Sequence, residues 1–189
     1  KNRYNLSVPE QKTIAFICSM IKPVEVLDKI NSVPYQLEYE FDIRKYCQIC
    51  NIDYDSGKNY ADIKAIPKVR TNKRSGIAHI KLDEDLVPYL FDLKNRFTSY
   101  GLRNILCMKS QYSIRLYELL KSYKIQVTKT FTIEEFKKLL MIEDIKSYNR
   151  FPSLKQKVLE PAMKEINEYT DIDVSYREIL KGRKVIKLE

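Results

Sequence analysis

The chain has 189 residues, of which 44% are hydrophobic and 31% charged, a mixture that is typical of a folded protein and excludes wholesale disorder. No apolar run approaches the roughly 20 residues of a membrane span, and the run at 13–21 lacks a cleavage site, so we expect neither a membrane helix nor a secretory signal. Thirty-four Lys and Arg against 25 Asp and Glu give a formal net charge of +9, which favours a polyanionic partner, nucleic acid first.

The counts of histidine, glycine and cysteine also exclude several kinds of functional site. A single histidine, His79, and only four glycines exclude His-rich metal sites and glycine-rich nucleotide loops. Four cysteines are too few and too scattered for a disulfide scaffold, so we expect a reduced, cytoplasmic protein. Cys47 and Cys50 form a Cys-x-x-Cys pair inside a predicted helix, with no second pair at zinc spacing, and a packing role is the better interpretation. We therefore expect no metal and no cofactor.

The first half alternates helical and strand-like patterns. Residues 7–21 predict a helix that opens with a capping box and carries an apolar stripe of Ile14, Ile17, Cys18 and Ile21. Residues 35–41 alternate as a half-buried strand does, and Asp42 is placed to cap a short helix over 43–50. A basic stretch at 67–76 followed by an alternating strand at 77–82 is typical of a β-hairpin wing, and 85–97 predicts another helix.

The second half has stronger patterns. Residues 110–123 predict a helix with a broad apolar face: Ile114, Leu116, Tyr117, Leu119, Leu120 and Tyr123. A capping box at Thr132 and Glu135 opens another helix, with Phe136, Leu139 and Leu140 facing inward. The longest helix is predicted over 153–169, kinked by Pro161, with apolar residues three or four apart: Leu154, Val158, Ala162, Ile166 and Tyr169. A hairpin follows, with strands at 173–180 and 184–188.

The two halves repeat each other. The segment 41–52 (FDIRKYCQICNI) aligns with 131–142 (FTIEEFKKLLMI), and each half runs helix, strand, helix, turn, helix, hairpin. This order predicts an α+β fold of two tandem winged helix–turn–helix domains, over residues 1–97 and 98–189. In the first copy the third helix stops near Ile66, before Pro67, and a first wing strand is barely visible. Either this copy is naturally abbreviated or a mobile segment near 66–67 is absent from the sequence, and we favour the second interpretation.

Basic side chains gather at three places that suit DNA. The start of the long helix combines cations, an amide and the positive end of the helix dipole, which suits a major groove: Arg150, Lys155, Gln156 and Lys157. Two basic turns suit phosphates across a minor groove: Lys68, Arg70, Lys73 and Arg74 in one, Lys181, Arg183 and Lys184 in the other. From charge alone, a solvated helix face and soluble, aggregation-blocking hairpins explain these patterns equally well.

Two long segments carry a resemblance to a known family. Residues 97–120 (FTSYGLRNILCMKSQYSIRLYELL) and 147–185 resemble the plasmid replication initiator (Rep) proteins with two winged-helix domains, which bind iterons. The run LEPAMKEIN followed by a KGRK turn is the most specific part, and residues 5–21 resemble the start of the first domain more loosely.

The resemblance implies a role and a set of partners. Such initiators bind directly repeated origin duplexes as monomers, help to open an adjacent AT-rich stretch, and recruit host replication proteins such as a helicase or initiator. As dimers, many bind an operator and repress their own gene, which controls plasmid copy number, and the first domain supplies the dimer interface. No membrane, cofactor or catalytic residue is implied.

The resemblance also assigns roles to particular residues. The third helix of the second domain reads bases, which here falls on Arg150, Ser153, Lys155, Gln156 and Lys157. The second wing falls on the turn Lys181-Gly182-Arg183-Lys184. The first domain would contact backbone through Lys58, Asn59 and its wing residues Arg70, Lys73 and Arg74. Ser153 and Gln156 stand where relatives often differ, so no base sequence is transferred.

Two other functions compete with this one. A tandem winged-helix transcriptional repressor without origin function would carry the same DNA-binding surfaces, as would a plain interaction module. A rolling-circle initiator that nicks DNA with a tyrosine normally uses a two-His metal motif, and a single histidine argues against it. Nothing in the sequence indicates a small-ligand pocket, so we expect a non-enzymatic protein.

Overall fold

The computed structural model describes residues 6–21, 37–50, 53, 69–72, 76–83, 100–123 and 128–189. The chain divides into two compact units, Pro9–Phe97 and Thr98–Glu189, the latter together with Lys1–Val8. Several sequence predictions lie outside the described residues: the helix at 85–97, the missing segment near 66–67, and Lys58, Asn59, Lys68, Lys73 and Arg74.

In the first unit the described elements are α1 (Val8–Met20), β1 (Glu38–Asp42), α2 (Ile43–Cys50), β2 (Val69–Asn72) and β3 (Ile77–Lys81). The three strands form an antiparallel sheet in the order β1-β3-β2. Asp42 caps α2 as predicted, because its Oδ1 accepts hydrogen bonds from the backbone N–H groups of Arg44 and Lys45 at 2.7 and 3.2 Å. The first wing strand, hardly visible in the sequence, is β2, whose four residues are too few to show an alternating pattern.

The buried face of α1 differs from the predicted stripe. Cys18 is exposed, whereas Thr13, Phe16 and Ile17 are buried. The Phe16 ring packs edge-on against Tyr46 with centroids 5.2 Å apart, and the Thr13 hydroxyl hydrogen-bonds to the Tyr46 hydroxyl. The helix can bury a threonine because that bond satisfies its hydroxyl. The helical period of the predicted stripe is therefore right, but the buried face is rotated by one residue.

In the second unit the elements are α3 (Leu102–Leu106), α4 (Gln111–Ser122), β4 (Phe131–Thr132), α5 (Ile133–Leu139), a 3₁₀ turn (Lys146–Asn149), α6 (Phe151–Leu154), a π turn (Lys155–Leu159), α7 (Glu160–Tyr169), β5 (Glu178–Lys181) and β6 (Lys184–Leu188). Its sheet is antiparallel in the order β4-β6-β5, the same first–third–second order as in the first unit. In both units a strand runs directly into a capped helix. These shared features are those of two tandem winged helix–turn–helix domains, the α+β fold that the repeat predicted.

The core of the second unit corrects two predictions. Ile114, Leu116 and Tyr117 of α4 are buried, but Leu120 is only half-buried. On α5, Phe136 and Leu140 face inward, whereas Leu139 is 36% exposed. The capping box of Thr132 and Glu135 is formed and marks the start of α5, and positions 136 and 140, one turn apart, take the buried face.

The long helix is continuous from α6 through the π turn to α7, and it begins at Phe151 instead of Ser153. The disturbance expected at Pro161 lies one turn earlier, where the Glu160 N–H donates to the Lys155 carbonyl in the π pattern. The extra residue of this turn brings both Val158 and Leu159 into the core.

The closing hairpin starts later than predicted, at Glu178 instead of Asp173. The side chain of Asn167 accepts from the Val174 N–H at 2.8 Å and donates to the Val174 carbonyl at 2.9 Å. This pair ties the chain to the end of α7 and delays its entry into the sheet. Gly182 opens the two-residue turn with a φ of +62°, a conformation that glycine adopts without strain.

Candidate nucleic-acid interface

The second unit holds the start of the long helix on its surface. Leu154 and Val158 are buried in the core, whereas Ser153, Gln156 and Lys157 of the same helix, and Arg150 directly before it, are not. Arg150, Gln156 and Lys157 are exposed and Ser153 is half-buried. We call these four residues the helix face. They present two cations, an amide and a hydroxyl at the positive end of the helix dipole, which suits an anionic ligand.

Lys155 does not belong to the helix face. Its Nζ lies 2.8 Å from Oε1 of Glu178 on β5 and 5.9 Å from the centre of the Tyr176 ring. The hydrogen bond that Lys155 donates to Glu178 raises the pKa of Lys155, so the ammonium stays charged while it is held against the wing. The sequence grouped this lysine with its helix neighbours, and the structure separates it from them.

The tip of the second wing concentrates positive charge. Lys181 and Lys184 are paired across the two strands, and Arg183 stands in the turn between them. All three side chains are exposed. Like charges directly opposite each other in a sheet repel, so an anion at this tip would relieve the repulsion. We call Lys181, Arg183 and Lys184 the wing tip.

The long helix itself carries no acidic residue before Glu160. Glu160 begins α7 and Glu168 lies near its end, and both are exposed. Glu165 turns elsewhere: its carboxylate accepts from the backbone N–H groups of Lys109 and Ser110 at 3.2–3.3 Å, at the beginning of α4. The exposed charge along the long helix is therefore positive at the start and mixed further along.

One further exposed cation, which the charge pattern did not single out, stands shortly before the helix face in the chain. Lys146, in the 3₁₀ turn that leads into α6, is exposed, and Asn149 of the same turn accepts a hydrogen bond from Lys137 at 2.6 Å. The only signal in the sequence for Lys146 is its position, because residues just before a helix lie near the N-terminus of that helix whatever their pattern.

Most residues predicted to contact DNA in the first unit lie outside the described residues. Arg70 lies on β2 opposite His79 in the sheet register. His79 Nδ1 is 2.8 Å from Oε1 of Glu40, and both side chains are exposed. The contribution of Arg70, Lys58, Asn59, Lys73 and Arg74 to DNA binding stays a prediction.

The described residues contain no group of three or more His, Cys, Asp or Glu arranged to hold a metal ion. Within the same residues no helix has the length and apolar character needed to cross a membrane. Cys47 is buried in α2, and this burial raises the pKa of its thiol, which suits packing better than redox chemistry.

Two family models match the chain. "Initiator Replication protein, WH1" matches residues 64–121 and "Initiator Rep protein, WH2" matches residues 132–189, which together cover more than half of the sequence. The chain belongs to the initiator Rep protein family. The WH1 match ends inside α4, beyond the point where the two compact units divide, so the domain limits at 97 and 98 stay a prediction.

Individual initiator Rep relatives are similar over part of their length. A "Replication initiation protein" of Escherichia coli is 39% identical over 96 residues, which cover 47% of this chain and 29% of the relative. The "PI protein" of Escherichia coli is 29% identical over 144 residues, 68% of this chain and 47% of the relative. The matched part is less than half of each relative's length.

A solved structure has the same fold. The crystal structure of the Pi initiator protein in complex with iteron DNA superposes with a TM-score of 0.76, covers 97% of this chain and 89% of that chain, and is 19% identical in sequence. At this identity the likeness concerns the fold: the tandem winged-helix architecture of an initiator is present here.

Proposed function

We propose that this protein is a plasmid replication initiator that binds directly repeated duplex DNA, the iterons of an origin, in a sequence-specific manner. The observation that carries the proposal is the presence of the helix face and the wing tip on one winged-helix unit of an initiator Rep protein. A reading helix needs base-specific donors, and a wing needs free cations for phosphates. This unit supplies both.

Three side chains of the helix face have a base-reading role in this proposal. Arg150 and Lys157 donate to guanine O6 and N7 in the major groove, and Gln156 pairs with adenine through its amide. The wing tip grips phosphates beside the neighbouring minor groove and fixes the register of the helix. The predicted contacts of the first domain through Lys58, Asn59, Arg70, Lys73 and Arg74 would add backbone binding.

The later steps of initiation belong to the same proposal. Binding energy is spent on bending and opening an adjacent AT-rich stretch, and the assembled complex recruits host replication proteins. A dimer of the same chain represses its own gene and so limits plasmid copy number. Membership of the initiator Rep family supports these roles, and no catalytic residue is assigned.

The binding claim is tested by fluorescence anisotropy with the repeats that flank the protein's own gene, with a scrambled duplex as the control. We expect one protein per repeat and an affinity for the repeats that outlasts nonspecific binding as salt rises. Equal affinities that fall together with the logarithm of salt would contradict the proposal and indicate a nonspecific basic binder.

Two further assays separate the competing functions. An origin plasmid that transforms cells only when the protein is supplied distinguishes an initiator from a repressor that merely binds an operator. Incubation of the supercoiled plasmid with protein and Mg²⁺ or Mn²⁺ is expected to give no covalent 5′ adduct. An adduct would assign the protein to the nicking initiators instead.

A further inference from the structure

One ion pair joins the long helix to the wing. Lys155 belongs to the π turn, and Glu178 is the first residue of β5, 23 positions further along the chain. The pair is partly shielded, with 37% of the Lys155 side chain and 27% of the Glu178 side chain exposed, and the Tyr176 ring covers the ammonium. Shielding from water makes such a pair stronger than an ordinary surface pair.

Glu178 lies where this pair can determine the position of the wing. Glu178 pairs with Leu188 at the base of the hairpin, and the strand register shifts between Ile179 and Leu180, directly after it. A register shift bends a strand and changes its twist. Glu178 therefore fixes the hairpin to the helix at the base, and the wing tip projects from that fixed point.

We propose that Glu178 is a positioning residue, which uses Lys155 to hold the wing tip at the distance from the helix face that a repeat duplex requires. Lys155 then acts through Glu178 and not by donating to a base. This inference rests on the proposed function, since it concerns how the same surface meets DNA.

Simple electrostatics and the positioning role predict opposite changes in the affinity for the repeat when Glu178 is replaced by glutamine. Glu178→Gln removes a negative charge close to the DNA surface, which by charge alone tightens binding to any duplex. If Glu178 positions the wing, the same change weakens binding to the repeat by about five-fold, near the upper limit for an ion pair of this exposure. Binding to a scrambled duplex stays unchanged or tightens.

The matched control is Glu160→Gln, which makes the same change of charge on the exposed side of the same helix. All proteins are measured by anisotropy on both duplexes at several salt concentrations, and thermal melting checks that each variant is folded. The inference expects the ratio of specific to nonspecific affinity to fall for Glu178→Gln and to hold for Glu160→Gln. Equal or tighter repeat binding by both variants overturns it.

A double-mutant cycle adds a second, independent test. Lys155→Gln breaks the pair from the other side, so in that background Glu178→Gln should cause no further loss of repeat binding. Losses that add fully would mean that the residues act separately, and the inference would be wrong. If the unsubstituted protein shows no preference for the repeat, the proposed function itself fails and this inference fails with it.

Discussion

The side-chain amide of Asn104 donates a hydrogen bond to Oδ1 of Asp171 at 3.0 Å, across 67 positions of the sequence. The Tyr117 hydroxyl donates to the same oxygen at 2.8 Å, and Lys121 reaches Oδ2 at 2.7 Å. Tyr117 is fully buried, and burial raises its pKa to about 12. This cluster joins α3 and α4 to the chain that leaves α7, so these side chains serve the fold of the second unit.

The cluster predicts a dependence of stability on pH. The hydrogen bond from Lys121, followed by that from Tyr117, lowers the pKa of Asp171 in the folded state. A lowered folded pKa gives stability that is present above the ordinary Asp pKa of about 3.9 and is lost as pH falls through the folded value. The melting temperature of the Asp171→Asn variant should therefore fall less between pH 5 and pH 3 than that of the unsubstituted protein. Asp144→Asn, in an exposed turn, is the control, and a parallel acid loss in Asp171→Asn would refute the role given to the cluster.

Removing the cations of the helix face should reduce specificity. We expect Arg150→Ala and Lys157→Ala each to cost about 1–3 kcal/mol of binding to the repeat, with a much smaller loss on scrambled duplex, because a base contact is lost. Lys164→Ala removes an exposed cation further along the same helix and should change both affinities alike. Equal losses on both duplexes for Arg150→Ala and Lys157→Ala would contradict the assignment of this helix to base reading.

Removing the cations of the wing tip should act differently. Lys181→Ala and Arg183→Ala each delete one phosphate contact, so the slope of log affinity against log salt should shrink by about one unit on the repeat and on scrambled duplex alike. Anisotropy titrations at four or more salt concentrations measure this slope. An unchanged slope in both variants would mean that the wing tip does not touch DNA.

The long helix depends on its buried side. Leu154 is fully buried, and Leu154→Ala should lower the free energy of unfolding by about 2–5 kcal/mol, with loss of DNA binding at temperatures where the variant unfolds. Leu180→Ala, at a leucine that is 56% exposed on the wing, deletes the same atoms and should cost far less. Urea denaturation compares the two, and similar costs would place Leu154 outside the core.

Local signals in the sequence predicted most of the architecture. Capping residues such as Asp42 and Thr132 act over three or four positions, so the starts of α2 and α5 were visible, and the repeated strand–helix pattern predicted two winged domains. Cys18 and Leu139 were misplaced because side-chain period gives a spacing and not a phase, which is set by partners elsewhere, such as Tyr46 for Thr13.

The candidate site was less accessible to such reasoning. Arg150, Gln156 and Lys157 follow from the cations and the amide at the start of a predicted helix, and all three are exposed there. Lys155 looked identical to them in sequence, and only the fold of the hairpin brings Glu178 to it. The late start of β5 was missed for the same reason. The side chain of Asn167 forms two hydrogen bonds with the backbone of Val174, and no local sequence pattern indicates them.

Protection of guanine N7 from dimethyl sulfate, on the DNA that flanks the protein's own gene, tests the central claim most directly, because N7 lies in the major groove where the helix face should bind. The account predicts protected guanines that recur once in every repeat, and loss of protection at particular guanines when Arg150→Ala or Lys157→Ala is used. Protection that is diffuse, or identical in the unsubstituted protein and both variants, would contradict it.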